Sequence, residues 1–179
     1  NDPGWGNQYN LAAIHAPAGW ALNTGAIWVT IAILDTGIEL SHPDLFVRIL
    51  PGYDFVNNDT DPQDDNGHGT HVAAIAAASS NNGVGVSGVN WGANILPVKV
   101  LNASGNGTYA NVAAGIIWAT DHGTQVINLS LGGSSPSFVL NDAVNYAYNH
   151  GATLVASTGN AGAQAVLYPA AYDPVIAVG

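Results

Sequence analysis

A histidine between two glycines, Gly67-His68-Gly69, opens a run of small apolar residues from Val72 to Ala78. Imidazole can take and return a proton near neutral pH, and the flanking glycines leave its ring approachable from several sides. The alanine-rich run predicts a helix packed tightly on a sheet. His68 then falls at the helix N-terminus, where unpaired backbone N–H groups make a positive end. That end disfavours a second positive charge, whereas a nearby carboxylate favours it, so a ring held between the two is suited to proton exchange. A carboxylate for this purpose stands at Asp35. Residues 26–34 are β-rich and apolar on both faces, as a central parallel strand is, and they run into Asp35-Thr36-Gly37. Ligands and catalysis gather at the carboxyl ends of strands in open α/β sheets. An aspartate that accepts the Nδ1–H of His68 fixes the tautomer and stabilises the imidazolium formed when the ring takes a proton. Together they are two members of a nucleophile–base–orienter set.

A second group of side chains offers oxygen. Asp54, Asn57, Asp59, Asp61 and Gln63 fall at near-alternate positions, and calcium takes six to eight such ligands. By spacing alone the same pattern describes a solvated acidic loop, and Asp64 and Asp65 read as solvated. His68 and His71, three apart on a helix face, could be drawn with Asp35 as a zinc site of a hydrolase, although no third fixed ligand or supporting shell is evident. Gly83-Val84-Gly85-Val86-Ser87-Gly88 satisfies the dinucleotide fingerprint, yet it follows a helix and precedes a strand, the wrong order for holding pyrophosphate.

The elements that must position these groups alternate along the chain. An extended arm is expected over residues 1–10 and helical spacing over 11–20, interrupted at Pro17. Strands are predicted at 26–34, 95–101, 125–130, 153–157 and 174–178. Helices are predicted from His68, over 108–122 with Thr108 as N-cap, and over 138–150 ending at Gly151. This alternation predicts one α/β domain over residues 1–179 with a doubly wound, mostly parallel sheet. The composition agrees: 179 residues, 47% hydrophobic and 8% charged, with 22 glycines. Net charge is −10 and Arg48 and Lys99 are the only Lys or Arg residues, which argues against nucleic acid or an anionic membrane surface as partner. There is no cysteine, so disulfides and thiolate chemistry are excluded. No apolar run approaches a membrane span, and a chain that starts at Asn1 with no methionine fits either a processed mature form or a trimmed piece of a longer chain.

Several ordered motifs resemble those of one family. Ile33-Leu34-Asp35-Thr36-Gly37-Ile38, His42-Pro43-Asp44-Leu45 and Asn66-Gly67-His68-Gly69-Thr70-His71-Val72-Ala73 are similar to the aspartate and histidine blocks of the subtilisin-like serine proteases, in particular the thermitase-like branch. Asn128-Leu129-Ser130-Leu131-Gly132-Gly133 and Ser157-Thr158-Gly159-Asn160-Ala161-Gly162 follow in the family's order. The resemblance implies a serine endopeptidase with Asp35 orienting His68, the general base, and the Asn160 amide donating to the oxyanion. It implies that a peptide or protein substrate docks as an added strand between Gly105-Asn106-Gly107 and Ser130-Leu131-Gly132, with Gly159 nearby. It also implies Ca2+ at the Asp54–Gln63 loop. A second calcium site would be formed by Asp2, Asp44 and Asn82 with backbone carbonyls near Ser79, Val84 and Val86, tying the N-terminal arm to the Asn82 loop. One departure stands out: the family's Gly-Thr-Ser-Met-Ala-Thr-Pro nucleophile block is absent. The expectation is therefore an N-terminal portion, inactive alone, whose serine belongs to a missing or complementary C-terminal segment. Ser130 is no substitute, since the first glycine of a nucleophile elbow is missing and no base is local. The alternative is a catalytically inactive calcium- and peptide-binding fragment.

Overall fold

The computed structural model describes residues 1–162 and 165–179. Helices α1 (Tyr9–Ala13) and α2 (Ala16–Trp20) lead to β1 (Thr30–Asp35), β2 (Tyr53–Asp54), α3 (His68–Ala77) and β3 (Asn94–Lys99). Then come α4 (Tyr109–Asp121), β4 (Val126–Leu129), α5 (Phe138–Asn149), β5 (Thr153–Ser157) and β6 (Val175–Val178). All strand pairs in the six-stranded sheet are parallel, in the order β2-β3-β1-β4-β5-β6. The expected α/β architecture is thus observed.

Alternation along β1 explains why the sheet is covered on both faces. Ile31 and Ile33 pack with Ala73 and Ala77 of α3, and with Ile38, Leu45 and Ile95. Ala32 and Leu34 face the other way, into a core with Val112 and Ile116 of α4 and Leu140 and Val144 of α5. Strand and helix therefore meet through apolar residues on each side, the burial that dominates folding free energy. From β1 the chain passes to β3 on one side and later to β4 on the other. The end of β1 is therefore the switch point of the strand order, where an open α/β sheet leaves a crevice.

Local chemistry accounts for the element ends. The Thr108 hydroxyl accepts the Asn111 N–H and so caps α4, as expected, and Ser137 caps α5 in the same way through the Leu140 N–H. Gly151 has φ of 88°, the left-handed conformation that follows the end of α5. Three expectations need correction. The N-terminal arm is not extended: Trp5–Asn7 form a 3-10 turn, followed directly by α1. The break between the first helices falls at Ile14–His15, with His15 left-handed, because Pro17 sits in the first turn of α2 where its missing N–H costs nothing. The first strand begins at Thr30, where pairing with Asn94 starts, and Ile27 and Trp28 before it are exposed. The two-residue β2 is too short to leave a pattern in sequence. Among the described residues, no helix is long and apolar enough to cross a membrane.

The glycines around His68 also have backbone reasons rather than the open access expected of them. Gly67 is the N-cap of α3 at φ 102°, a conformation that L side chains rarely adopt. Gly69 is buried, and a Cβ there would collide with the carbonyl oxygen of Gly37 and come within 3.1 Å of the Asp35 Cβ. This close approach sets α3 down on the end of β1. Gly69→Ala should therefore destabilise the protein by about 1–3 kcal/mol, the usual cost of overpacking a tight interior. A denaturant melt of the variant that coincides with the parent would contradict this.

Candidate active site

Asp35 is the last residue of β1, fully buried, and Val100 and Leu101 both donate their N–H groups to its carbonyl oxygen. His68 is the first residue of α3, and its side chain is 48% exposed. Because α3 sits close on β1, the two meet: His68 Nδ1 lies 2.7 Å from Asp35 Oδ1. The same oxygen accepts the Thr36 N–H at 2.7 Å, while Oδ2 is buried with no partner among the described residues. Burial pushes the Asp35 carboxyl above its usual range, against the opposing pull of His68 and of the Thr36 N–H. With Nδ1 turned to the carboxylate, Nε2 is the nitrogen left to take a proton from a reacting group. An imidazole with one side held by a buried carboxylate and the other open is placed as a general base.

Thr36, Asp64 and Asp65 extend this arrangement in ways that spacing did not reveal. The Thr36 hydroxyl accepts the Gly69 N–H at 2.9 Å and donates to Asp64 at 2.8 Å. Asp64 is not solvated as expected. Its oxygens accept the N–H groups of Asn66, Gly67 and Thr70 and the Thr70 hydroxyl, so that it occupies the positive N-terminus of α3. Burial pushes its carboxyl up, but these hydrogen bonds outweigh that and hold it below the usual value. Asp65 is about half exposed yet pairs with the buried ammonium of Lys99 at 2.6 Å. An acid three residues before Gly67, at the start of a helix, was the available signal for Asp64. Nothing in the sequence pairs residues 65 and 99.

A cleft of about 540 Å³ opens beside His68. Gly105, Asn106 and Gly107 line it together with Ser130, Leu131 and Gly132, so the two segments named from sequence do face one space. Tyr109 lines the same cleft, lies against Gly133 and donates its hydroxyl to the Ser135 carbonyl at 2.7 Å. The Ser130 hydroxyl accepts from Asn128 Nδ2 at 3.0 Å. Gly159 and the exposed Asn160 follow β5 and are not among the lining residues. Gly159 nevertheless abuts the Leu167 side chain, which also abuts Gly132 in the cleft wall.

The oxygen-rich residues divide. Asp2 and Asp44 are both buried and converge on the loop 79–86. Asp2 accepts the N–H groups of Asn81, Asn82 and Gly83, and Asp44 accepts from the Asn82 side chain and the Val86 N–H. The Ser79 N–H reaches the Asp44 carbonyl, and Val84 donates to the Asn82 side chain. The nearby Arg48 guanidinium donates to Ala77, Ser79 and Trp91 instead. The side-chain oxygens of both carboxylates are thus taken by N–H donors in this structure, and a hard divalent ion, which takes such oxygens, would have to displace those donors. The other set is hydrogen-bonded in the same way. Asp54 is occupied by Val56 and Asn57, Asp59 by the Asp61 N–H, and Gln63 turns to Glu39 and Leu40. A zinc centre is not supported. His71 faces a different cleft, with Glu39 and His42, and no group of three or more His or acidic side chains is placed for a metal among the described residues.

Comparison with known proteins adds an independent finding. The family model described as Subtilase family (Peptidase_S8) matches residues 28–179. Thermitase of Thermoactinomyces vulgaris is 50% identical over 179 residues, covering 99% of this chain and 64% of its own length. A thermophilic serine proteinase of Bacillus sp. (strain AK1) is 46% identical over 174 residues, 97% of this chain and 43% of its own. Subtilisin Savinase of Lederbergia lenta is 46% identical over 171 residues, 96% of this chain and 62% of its own. The chain thus spans less than two thirds of the length of these relatives.

The Asp64 network yields a pH-dependent prediction. Because its folded-state pKa is depressed, Asp64 stabilises the fold above the usual carboxylate value, and this is lost as pH falls through the depressed one. Asp64→Ala should cost about 2 kcal/mol at pH 7, in the range for hydrogen bonds to a charged group. The parent and variant melting curves should converge as the solution is acidified below the ordinary aspartate range and through the depressed value. A penalty that stays constant with pH would show that the carboxylate is not the source.

Proposed function

The chain belongs to the subtilase family, and on that premise we propose that it carries the acid, the base and the substrate groove of a serine endopeptidase. The observation that carries the reading is the 2.7 Å contact of His68 Nδ1 with the buried Asp35 carboxylate beside a cleft lined by two glycine-containing segments. Asp35 holds the imidazole with Nε2 toward the cleft. His68 then removes the proton of a serine hydroxyl as that oxygen attacks the scissile carbonyl, and returns it to the leaving amine. The serine comes from a polypeptide segment outside these 179 residues, since no Gly-Thr-Ser sequence occurs within them. The resulting acyl-enzyme is hydrolysed by the same base acting on water.

The groove suits an extended peptide. Segments 105–107 and 130–132 both line it, and peptide main chain would dock along them as an added strand. The Asn160 amide is the proposed donor to the oxyanion, a neutral N–H placed where negative charge develops. Its position after β5, beside the Leu167 contact shared with Gly132, is compatible with that role. Extracellular location is part of the same proposal and rests on the family resemblance.

Calcium would be held by Asp2, Asp44 and Asn82 with the Ser79, Val84 and Val86 carbonyls, supplying the positive charge that the two buried acids lack. The Asp54, Asn57, Asp59, Asp61 and Gln63 loop is the second proposed site, and both sites require their present hydrogen bonds to rearrange.

Three measurements test these readings. A fluorophosphonate probe should label a serine of the protease joined to its nucleophile-bearing segment. Absence of labelling, with peptide still bound, would leave a binding module instead. His68→Ala should lower kcat of that enzyme by on the order of 10⁶-fold, because losing the base disables the whole nucleophile–base–orienter set, with KM little changed. Chelation of calcium should lower Tm by about 5–10 °C, as expected for loss of a ligand present at a hundredfold its Kd. Asp44→Asn should abolish that dependence, and an unchanged melt on adding EDTA would exclude the site.

A further inference from the structure

Lys99 is the last residue of β3, paired in register with Asp35 across the sheet, and only 1% exposed. A buried ammonium is costly unless all three of its N–H donors are met. Here they are: the Thr36 carbonyl at 2.6 Å, Asp65 Oδ1 at 2.6 Å and the Leu101 carbonyl at 3.1 Å. Only one of these partners is charged, so the ammonium and the Asp65 carboxylate neutralise each other.

The three acceptors belong to three different parts of the site. Thr36 follows Asp35, donates its own N–H to the Asp35 carboxylate, and takes the Gly69 N–H on its hydroxyl. Asp65 lies three residues before His68, in the loop that delivers the ring. Leu101 lines the substrate cleft and leads to Gly105-Asn106-Gly107, while its N–H is bound to the Asp35 carbonyl. A buried charge contributes little to stability compared with an apolar side chain of similar volume, so packing alone would be served by methionine. What methionine could not supply is a single point joined to all three segments.

We infer that Lys99 is a positioning residue whose ammonium, through Thr36, Asp65 and Leu101, locks the Asp35–His68 pair against the first wall of the substrate groove. The inference rests on the reading of Asp35 as the acid that orients His68. It acts through geometry: Lys99 touches neither the imidazole nor a reacting atom.

The test is the tautomer of His68, read from its ring 15N chemical shifts at a pH where the ring is neutral. A structural brace alone would change Tm and leave this signature unmoved. In the parent protein the ring proton should reside on Nδ1, facing Asp35. In Lys99→Met the Nδ1–H form should fall from nearly the whole population to the minority. Should that variant fail to fold, Asp65→Ala removes only the half-exposed partner and keeps both carbonyl contacts. It should shift the tautomer in the same direction by a smaller amount. A folded Lys99→Met, or in its place a folded Asp65→Ala, with the parent tautomer ratio would overturn the inference. A parent ring protonated on Nε2 would instead overturn the orienting role of Asp35, and this inference with it.

Discussion

The site depends on how closely one helix can sit on the end of one strand. Backbone of α3 at Gly69 passes the Gly37 carbonyl with no room for a side chain, and only at that separation does His68 reach a carboxylate as short as aspartate. The contact is then secured from both sides. The Gly69 N–H binds the Thr36 hydroxyl, and Asp64 binds Thr36, the start of α3 and the loop before it. Catalytic geometry tolerates little slack, because a general base displaced by an ångström no longer shares a hydrogen bond with its proton donor. The steric fit of two glycine-containing segments is therefore upstream of the chemistry.

Electrostatics at this site runs against ease of folding. A carboxylate with one oxygen unpartnered in the interior is an unfavourable burial, visible in the raised Asp35 pKa. Nearby Asp64 shows the opposite shift, although it too is partly buried, because five N–H and O–H groups point at it. Two acids on neighbouring segments are thus set apart by their hydrogen bonds, Asp64 held by five donors and Asp35 by the Thr36 N–H and the His68 ring. The two Lys and Arg side chains of the chain are not spread on its surface. Lys99 is buried at the active site, and half-buried Arg48 ties the end of α3 and Ser79 to Trp91. With both cations used internally, the exposed charge is overwhelmingly acidic, which favours divalent cations over anionic partners.

Sequence alone determined the α/β alternation, the capping of α4 by Thr108, and the placement of Asp35 at the end of a strand and His68 at the start of a helix. These follow from short-range rules: apolar periodicity, cap chemistry, and an acid placed at the end of a buried strand. It also named both walls of the cleft, because they resemble a known family in ordered motifs. Tertiary structure decided what depends on residues far apart in the chain. It gave Gly69 its reason in a carbonyl of another segment, tied Asp64 to Thr36 and the start of α3, paired half-exposed Asp65 with Lys99, and brought Asp2 and Asp44 to one loop. A lone lysine reads in sequence as surface charge. Its burial and its three acceptors exist only once β1, β3 and the loop before α3 are brought together, since hydrogen-bond partners are chosen by proximity in space and not by spacing along the chain.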